Sequence, residues 1–149
     1  MIYEQKRGSF LISTDNAKLD REAIYRYLSE AYWAKTRSRS AVEKSLSNSL
    51  CFGLYEDEKQ IGLARVVSDF ATFAYLCDVY VLDAYQGKGL GAWLIQSVMS
   101  YPDLQNLRRW LLATRDAHGL YRKVGFTPLQ APERWMEHFT PHPEPREVQ

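Results

Sequence analysis

The chain has 149 residues, of which 46% are hydrophobic and 25% are charged, a composition typical of one globular domain. Its 19 basic and 18 acidic residues leave a formal net charge of +1, so charge gives no reason to expect a nucleic acid as partner. No apolar stretch approaches the ~18 residues of a membrane span, and the N-terminus lacks a signal-peptide pattern.

The two cysteines, Cys51 and Cys77, lie in apolar runs and lack Cys-x-x-Cys spacing. This argues against a zinc site, and with three scattered histidines we expect no metal. Buried reduced thiols are typical of a protein in a reducing compartment, so we expect a cytoplasmic location.

The first half of the chain predicts one strand, two helices and two strands. Residues 10–13 are the first strand, and Asp20 is placed to cap a helix whose apolar residues recur at spacings of three and four: Ile24, Tyr27, Leu28 and Ala31. Ser40, with a glutamate three residues later, indicates the start of a second helix through a capping box. Strands at 50–55 and 60–68, joined by a polar turn, predict a hairpin.

The second half predicts a strand at 72–82, a helix at 89–101 and a short apolar strand at 110–113. A strand, a helix and a further strand in this order imply a parallel pair with a right-handed crossover. A short helix at 116–124 follows, and Phe126 is expected to begin a last strand.

These elements predict an α/β fold with a mixed antiparallel and parallel sheet covered by helices. We expect one domain at residues 1–139, because neither a repeat nor a linker interrupts the pattern. Residues 140–149 contain three prolines and several charged residues, which is typical of a loose C-terminal tail.

The sequence from Gln86 to Gly91, Gln-Gly-Lys-Gly-Leu-Gly, lies between a predicted strand and a predicted helix. Glycines let a ligand approach the backbone, and the free amides of a helix start favour an anion such as phosphate. Walker A spacing is absent. A dinucleotide fingerprint would need an acidic residue at the end of the next strand, where Ala113 and Thr114 stand instead.

A third interpretation of this turn needs Gln or Arg, two residues, Gly, one residue, then Gly or Ala, which Gln86, Gly89 and Gly91 satisfy. Downstream stand Ala117 and a Tyr-x-x-x-Gly-Phe segment that begins at Tyr121. With these motifs the sequence resembles the GNAT superfamily of N-acetyltransferases over most of its length. The resemblance implies a twisted sheet that splays between the fourth and fifth predicted strands, with helices on both faces.

The resemblance also implies that acetyl-CoA is the co-substrate. The backbones of Val79, Tyr80 and Val81 would contact the pantetheine arm and thioester, while the two valine side chains are core. The pyrophosphate would lie on the turn: Gln86, Gly87, Lys88, Gly89, Leu90, Gly91 and Ala92. Thr114 stands where many members carry an asparagine that binds pantetheine.

Tyr121 resembles the family's general acid, which protonates the departing thiolate; the alternative is a packed helix aromatic. Many members place a Glu or His base at the position of Cys77, and a buried thiol is a poor base near neutral pH. Strand alternation is expected to point Asp78 to the opposite face, as a structural carboxylate. Tyr75 would share the Cys77 face, so we expect deprotonation through water or an amine that is already partly neutral.

The family's acceptor pocket is walled by the loop after the first helix and by nearby strands. The candidate acceptor residues are Tyr32, Trp33, Arg37, Arg39, Arg65 and Tyr75. Arg37 and Arg39 either bind a carboxylate or phosphate of the acceptor or form a solvated basic loop. Arg65 lies in an apolar strand and needs a partner, with Asp78 and Asp69 as candidates.

We therefore expect an N-acetyltransferase that moves the acetyl group of acetyl-CoA to a primary amine of a small molecule by direct transfer in a ternary complex. Acetylation of a protein amine is the alternative within the class. A non-catalytic acyl-CoA-binding or sensing module is the alternative outside it. A homodimer is also possible, because exposed sheet edges often pair.

Overall fold

The computed structural model describes residues 1–141, so nearly all of the expected tail at 140–149 lies outside the described residues. The strands in this part are β1 (Glu4–Arg7), β2 (Phe10–Ser13), β3 (Leu50–Glu56), β4 (Lys59–Ser68), β5 (Phe73–Val81) and β6 (Arg109–Leu111). The α-helices are α1 (Arg21–Leu28), α2 (Arg39–Ser47), α3 (Leu90–Met99) and α4 (His118–Arg122). None of the helices in residues 1–141 has the length and apolar character that a membrane crossing would need.

The strands form one sheet in the order β1-β2-β3-β4-β5-β6. The first four neighbouring pairs are antiparallel and the pair β5–β6 is parallel. The parallel pair is joined through α3, as the strand–helix–strand pattern predicts. The prediction of a mixed α/β sheet is confirmed.

Strand β1 was not predicted from the sequence. Its four residues, Glu-Gln-Lys-Arg, are polar, and three of them are exposed at the edge of the sheet. An edge strand with no apolar alternation carries no strand signal in the sequence. It pairs with β2, so the strand predicted as the first is the second.

Helices cover both faces of the sheet, and each face has its own apolar cluster. On one face α3 packs on the strands through buried residues such as Trp93, Leu94 and Ile95. On the other face α1 and α2 pack through Ile24 and Leu46 against the opposite side of the strands. The sheet therefore separates the α3 side from the side covered by the first two helices.

Helices α1 and α2 are each capped at the N-terminus by a polar side chain, at the predicted residue in α1 and at a different one in α2. The Asp20 side chain accepts a hydrogen bond from Ala23 N at 3.0 Å, as expected for the cap of α1. Helix α2 begins earlier than predicted, because its cap is Ser38, whose Oγ accepts from Ala41 N at 3.1 Å. The capping box predicted at Ser40 is wrong, since Ser40 already lies within the helix.

The last strand predicted at Phe126 is also wrong. Gly125 has φ +100°, and Phe126 N–H donates back to the Tyr121 carbonyl at 3.1 Å. The chain thus folds back onto the end of α4 instead of running along β6. The Phe126 ring packs edge-on against Tyr121 and Trp110, with centroids 5.9 and 6.3 Å away.

The parallel ladder between β5 and β6 is short. It joins Phe73 to Arg109, Ala74 to Trp110 and Tyr75 to Leu111, and ends there. Beyond Tyr75, β5 pairs within the described residues with β4 alone. The two strands therefore diverge as predicted, and the turn before α3 lies at the open end of the gap.

Candidate active site

The turn between β5 and α3 presents a row of backbone donors. Gly87 and Gly89 have φ +82° and +77°, which residues with a Cβ adopt reluctantly. Gly89 caps α3 without a side chain, and the first helical bond runs from Trp93 N–H to the Gly89 carbonyl at 3.1 Å. The N–H groups of residues 87–92 consequently have no partner within residues 1–141, at the positive end of the helix dipole.

The space in front of this turn is open. A Cβ added to Gly87 or Gly89 would meet no atom within 4 Å outside the turn. The Gln86 side chain folds back, and its Nε2 donates to the Val81 carbonyl at 3.0 Å and to Asp83 Oδ1 at 3.2 Å. Gln86 therefore fastens the turn to the end of β5 and leaves the backbone donors accessible.

Strand β5 carries a β-bulge at Asp78. Three β4 residues, 63–65, face four β5 residues, 77–80, and Asp78 has φ +50°. A bulge interrupts the alternation of side chains, so Asp78 lies on the same face as Cys77 and contacts the loop after α1. The expectation that Asp78 points to the opposite face is wrong, because it assumed a regular strand.

After the bulge, the backbone N–H and C=O groups of β5 point alternately toward β4 and toward the gap beside β6. Leu82 N–H donates to the Ile61 carbonyl on β4 at 2.8 Å. Because directions alternate along a strand, the N–H and C=O of Val81 point away from β4, toward the gap beside β6. The backbone of Tyr80, in register with Leu63, points to β4.

The side chains at this end of β5 divide between the two faces. Val79 and Val81 pack against the core on the α3 side. The Tyr80 ring is buried on the opposite face and stacks on Tyr27, with centroids 3.7 Å apart. Tyr27 therefore packs with Tyr80 in the cluster under α1 and α2, a contact that the sequence did not identify.

Tyr121 lies on α4 with 8% of its surface exposed, and burial raises the pKa of its phenol to about 12. The phenol makes no hydrogen bond within residues 1–141, and it is not sealed from solvent. It therefore keeps its proton across the neutral range and has a free position for a partner. Thr114 lies just before α4, where its Oγ1 accepts from Ala117 N at 3.1 Å, so its own hydrogen remains free to donate.

Cys77 occupies the position at which many members of the resembled family carry a base. Burial raises the pKa of its thiol to about 11, and Sγ donates weakly to the Arg65 carbonyl at 3.6 Å. A thiol that holds its proton so firmly does not accept one from an ammonium group near pH 7. Its burial and raised pKa thus fit the expectation that Cys77 is a poor base, which stays a prediction.

Asp78 is the centre of a buried polar cluster. Its carboxylate has no exposed surface and accepts from Trp33 Nε1 at 2.8 Å, from Arg37 Nη1 at 2.8 and 2.9 Å, and from Arg65 Nε at 2.8 Å. Burial alone would raise the Asp78 pKa, but the two guanidinium groups outweigh it and lower the pKa. Arg65 also donates to Ser49 Oγ at 2.9 Å. The partner of Arg65 is thus Asp78, one of the two candidates.

The two arginines of the loop have different surroundings. Arg37 reaches the buried Asp78 beside the bulge. Arg39 lies on the surface, paired with Glu22 of α1 at 2.6 Å and placed over the Tyr25 ring at 4.4 Å. Of these two arginines, only Arg37 therefore contacts β5, through Asp78.

Exposed aromatic rings line the same region. Tyr32 and Trp33 pack edge to face with centroids 5.1 Å apart. The Arg115 guanidinium lies 3.8 Å from the centre of the Tyr32 ring, which links the loop after α1 to the segment before α4. Tyr75 lies on β5 with 37% of its surface exposed, where the parallel ladder ends. The structure thus gathers most of the candidate acceptor residues around the gap.

Within residues 1–141 no group of three His, Cys, Asp or Glu side chains could hold a metal ion. The sequence did not identify the Trp33 indole or Ser49 as partners of the cluster. No sequence signal could have shown either contact, because each depends on the bulge and on the path of the loop after α1.

The sequence model of the Acetyltransferase (GNAT) family matches residues 19–126, more than two thirds of the chain. A candidate acetyltransferase from Gibberella zeae is 36% identical over 141 residues, a match that covers 78% of each chain.

Solved structures agree. The crystal structure of a candidate acetyltransferase of the GNAT family from Xanthomonas campestris is 48% identical, covers 89% of this chain and 94% of its own, and superposes with a TM-score of 0.87. A predicted acetyltransferase from Clostridium acetobutylicum, determined with acetyl-CoA, is 14% identical and has a TM-score of 0.60, with 93% and 96% of the two chains covered. This second likeness is one of fold.

Proposed function

The chain belongs to the GNAT family of acetyltransferases, and we propose that it moves the acetyl group of acetyl-CoA directly to a primary amine of a small molecule. The observation that carries the proposal is the row of unpartnered N–H groups at residues 87–92. They lie at the open end of the gap between β5 and β6, where a diphosphate would supply the acceptors they lack.

The residues around the gap fit the co-substrate. The N–H groups of the turn would hold the pyrophosphate, and the free Val81 amide would contact the thioester end of the pantetheine arm. The Val79 backbone and the Thr114 hydroxyl are the other proposed contacts, while the buried Tyr80 ring packs on Tyr27 and fixes this end of β5. Acetyl-CoA supplies the acetyl group as a thioester, and the Val81 N–H is directed to stabilise negative charge that develops on the carbonyl oxygen.

Tyr121 is the proposed general acid. A phenol with a pKa of about 12 remains protonated at neutral pH and can give its proton to the departing sulfur. No side chain at the Cys77 position removes the proton of the acceptor amine. We infer that water accepts this proton, or that the amine enters in its neutral form.

Replacing Tyr121 tests the acid directly. Tyr121→Phe keeps the ring that packs on Phe126 and removes only the hydroxyl, so kcat should fall roughly 10²–10³-fold while the Kd of acetyl-CoA stays within about twofold. Tyr101→Phe is the matched control, because Tyr101 is also buried but lies beyond the far end of α3. An unchanged kcat in Tyr121→Phe would show that Tyr121 is only a packed aromatic.

The thiol at the Cys77 position, which is a poor base, also favours a second candidate function, that of a non-catalytic acyl-CoA-binding module. Calorimetry with acetyl-CoA and release of free thiol from a panel of amines separate the two. Binding with amine-dependent thiol release supports the enzyme, and binding without any release supports the module. Release with a peptide lysine but with no small amine would make the acceptor a protein.

We also propose a cytoplasmic location, which two free cysteines support, since disulfides are rare in reducing compartments. A homodimer is proposed from the sheet edges at β1 and β6. Sedimentation of the purified chain would test the dimer.

A further inference from the structure

The cluster at the β5 bulge holds more positive than negative charge. Arg37 and Arg65 share the single carboxylate of Asp78, and their side chains are 29% and 12% exposed. Neither arginine forms an ion pair with another acid within residues 1–141. One positive charge therefore remains in a partly desolvated position, where charge is costly without a partner.

Several donors of the two guanidinium groups are also unused. Arg37 contacts Asp78 through Nη1 alone, and Arg65 uses Nε and Nη1. Nε and Nη2 of Arg37 and Nη2 of Arg65 make no hydrogen bond within residues 1–141, and none of these atoms is sealed from solvent. The cluster therefore keeps charged donors that have no partner within the described residues and retain contact with solvent.

These donors lie beside the proposed reaction centre. Asp78 comes directly before Val79 and three residues before Val81, the proposed backbone contacts of the thioester arm. Trp33, which donates to Asp78, and Tyr75 are exposed aromatic residues of the same region. A molecule that places its amine near the end of β5 would thus bring its other groups close to the cluster.

We propose that the acceptor is an amine that also carries a carboxylate, as amino acids do, and that the Arg37–Arg65 pair binds this carboxylate. The inference rests on the proposed acetyl transfer and adds the substrate class. Guanidinium groups match a carboxylate in planar, forked geometry. One surplus positive charge balances one carboxylate, whereas a phosphate monoester carries about −1.5 to −2.

Arg39 does not share this role. Its guanidinium is paired with Glu22 and stacked on Tyr25, both on α1. The structure thereby distinguishes two arginines that the sequence presents as equivalent.

The first experiment compares matched acceptors on the full chain. Each amino acid of a panel is paired with the amine that lacks only its carboxylate, for example phenylalanine with phenethylamine. The best amino acid should exceed its partner in kcat/KM by about tenfold or more, through a lower KM. The reason is that the partner amine lacks the carboxylate and so cannot make the charge-assisted contact with the arginines. Equal values for both members of each pair would overturn the inference.

The second experiment changes the arginine. Arg37→Gln should lower kcat/KM roughly 10–100-fold for the amino acid and leave the partner amine unchanged, with Arg37→Lys in between because charge is kept and the fork is lost. Arg26→Gln is the matched control, since Arg26 is an exposed arginine of α1 outside the cluster. A loss of equal size for both amines would mean that Arg37 only holds the loop in place, which would overturn the inference.

Calorimetry with acetyl-CoA distinguishes a failure of the carboxylate inference from a failure of the proposed acetyl transfer. If acetyl-CoA binds and amines without a carboxylate are the better acceptors, the carboxylate inference fails and acetyl transfer stands. If acetyl-CoA does not bind, or if no amine releases thiol, the proposed transfer fails and the inference fails with it.

Discussion

The turn at residues 86–92 and the loop at residues 32–39 face the same gap, but they are built in opposite ways. The turn offers backbone N–H groups and needs its glycines for conformation. The loop offers side chains, and its indole and one guanidinium are fixed by a single buried carboxylate, Asp78. A change at the turn should therefore act through the backbone conformation of its glycines, whereas a change in the loop or its partners should act through the loss of side-chain contacts.

This difference fits the two different ligands that we propose for these regions. Backbone donors at a helix start suit a group that every member of a family binds in the same way, such as a diphosphate. Side chains on a loop can change without altering the fold, and so suit the ligand that differs between members. The acceptor is accordingly to be sought in the contacts of Asp78 and not in the turn.

The largest expected effect is that of removing the charge at Asp78. Asp78→Asn keeps the shape and tolerates the positive φ, but leaves Arg37 and Arg65 without a counter-charge. We expect the free energy of unfolding in urea to fall by about 3 kcal/mol, near the low end for broken buried pairs because both guanidinium groups are partly hydrated. Glu22→Gln, which breaks only the exposed pair with Arg39, is the control and should leave the urea midpoint unchanged.

The stability difference between wild type and Asp78→Asn should also depend on pH. The folded protein lowers the Asp78 pKa, so its stabilising contribution is present above the unfolded value of about 4 and is lost as the pH falls through the folded value. The difference between wild type and Asp78→Asn should therefore shrink below about pH 4. A difference that stays constant through that range would mean that the charge of Asp78 is not what stabilises the cluster.

A smaller effect is expected at the turn. Gly89→Ala forces a Cβ into a left-handed conformation and should cost about 1–2 kcal/mol of stability. The shifted amides should weaken acetyl-CoA binding roughly tenfold by calorimetry. Gly8→Ala is the matched control, since Gly8 has φ +57° in open space at the β1–β2 turn and should lose stability but not affinity. Equal affinity in wild type and Gly89→Ala would remove the turn from the binding site.

The smallest effect concerns the pH profile. Burial raises the Tyr121 pKa to about 12, so the phenol stays protonated at every pH well below that value. The kcat/KM for an amine should rise with pH as the amine loses its proton and should not fall again before about pH 10. A falling limb near pH 8 in wild type that is missing in Tyr121→Phe would mean that Tyr121 titrates far below this value.

The sequence by itself determined the order of most elements and the position of the glycine turn between a strand and a helix. Helix periodicity, the Asp20 cap and the spacing from Gln86 to Gly91 are local, because each depends on residues that are neighbours in the chain. Tyr121 could be singled out for the same reason, since its motif continues to Gly125 and Phe126 within one helix end. Its role as the acid stays a prediction.

Tertiary structure alone decided the rest. The polar strand β1 forms only because β2 accepts it as an edge partner. The Asp78 bulge, the partner of Arg65 and the separation of Arg37 from Arg39 depend on residues that are 13 to 45 positions apart in the chain. A bulge shifts the pairing of two strands by one residue, and the local sequence pattern does not indicate it. Here it places the Asp78 carboxylate on the face where Arg37 and Arg65 meet. The physical reason is that charges select partners by distance in space, which the spacing of residues along the chain does not give.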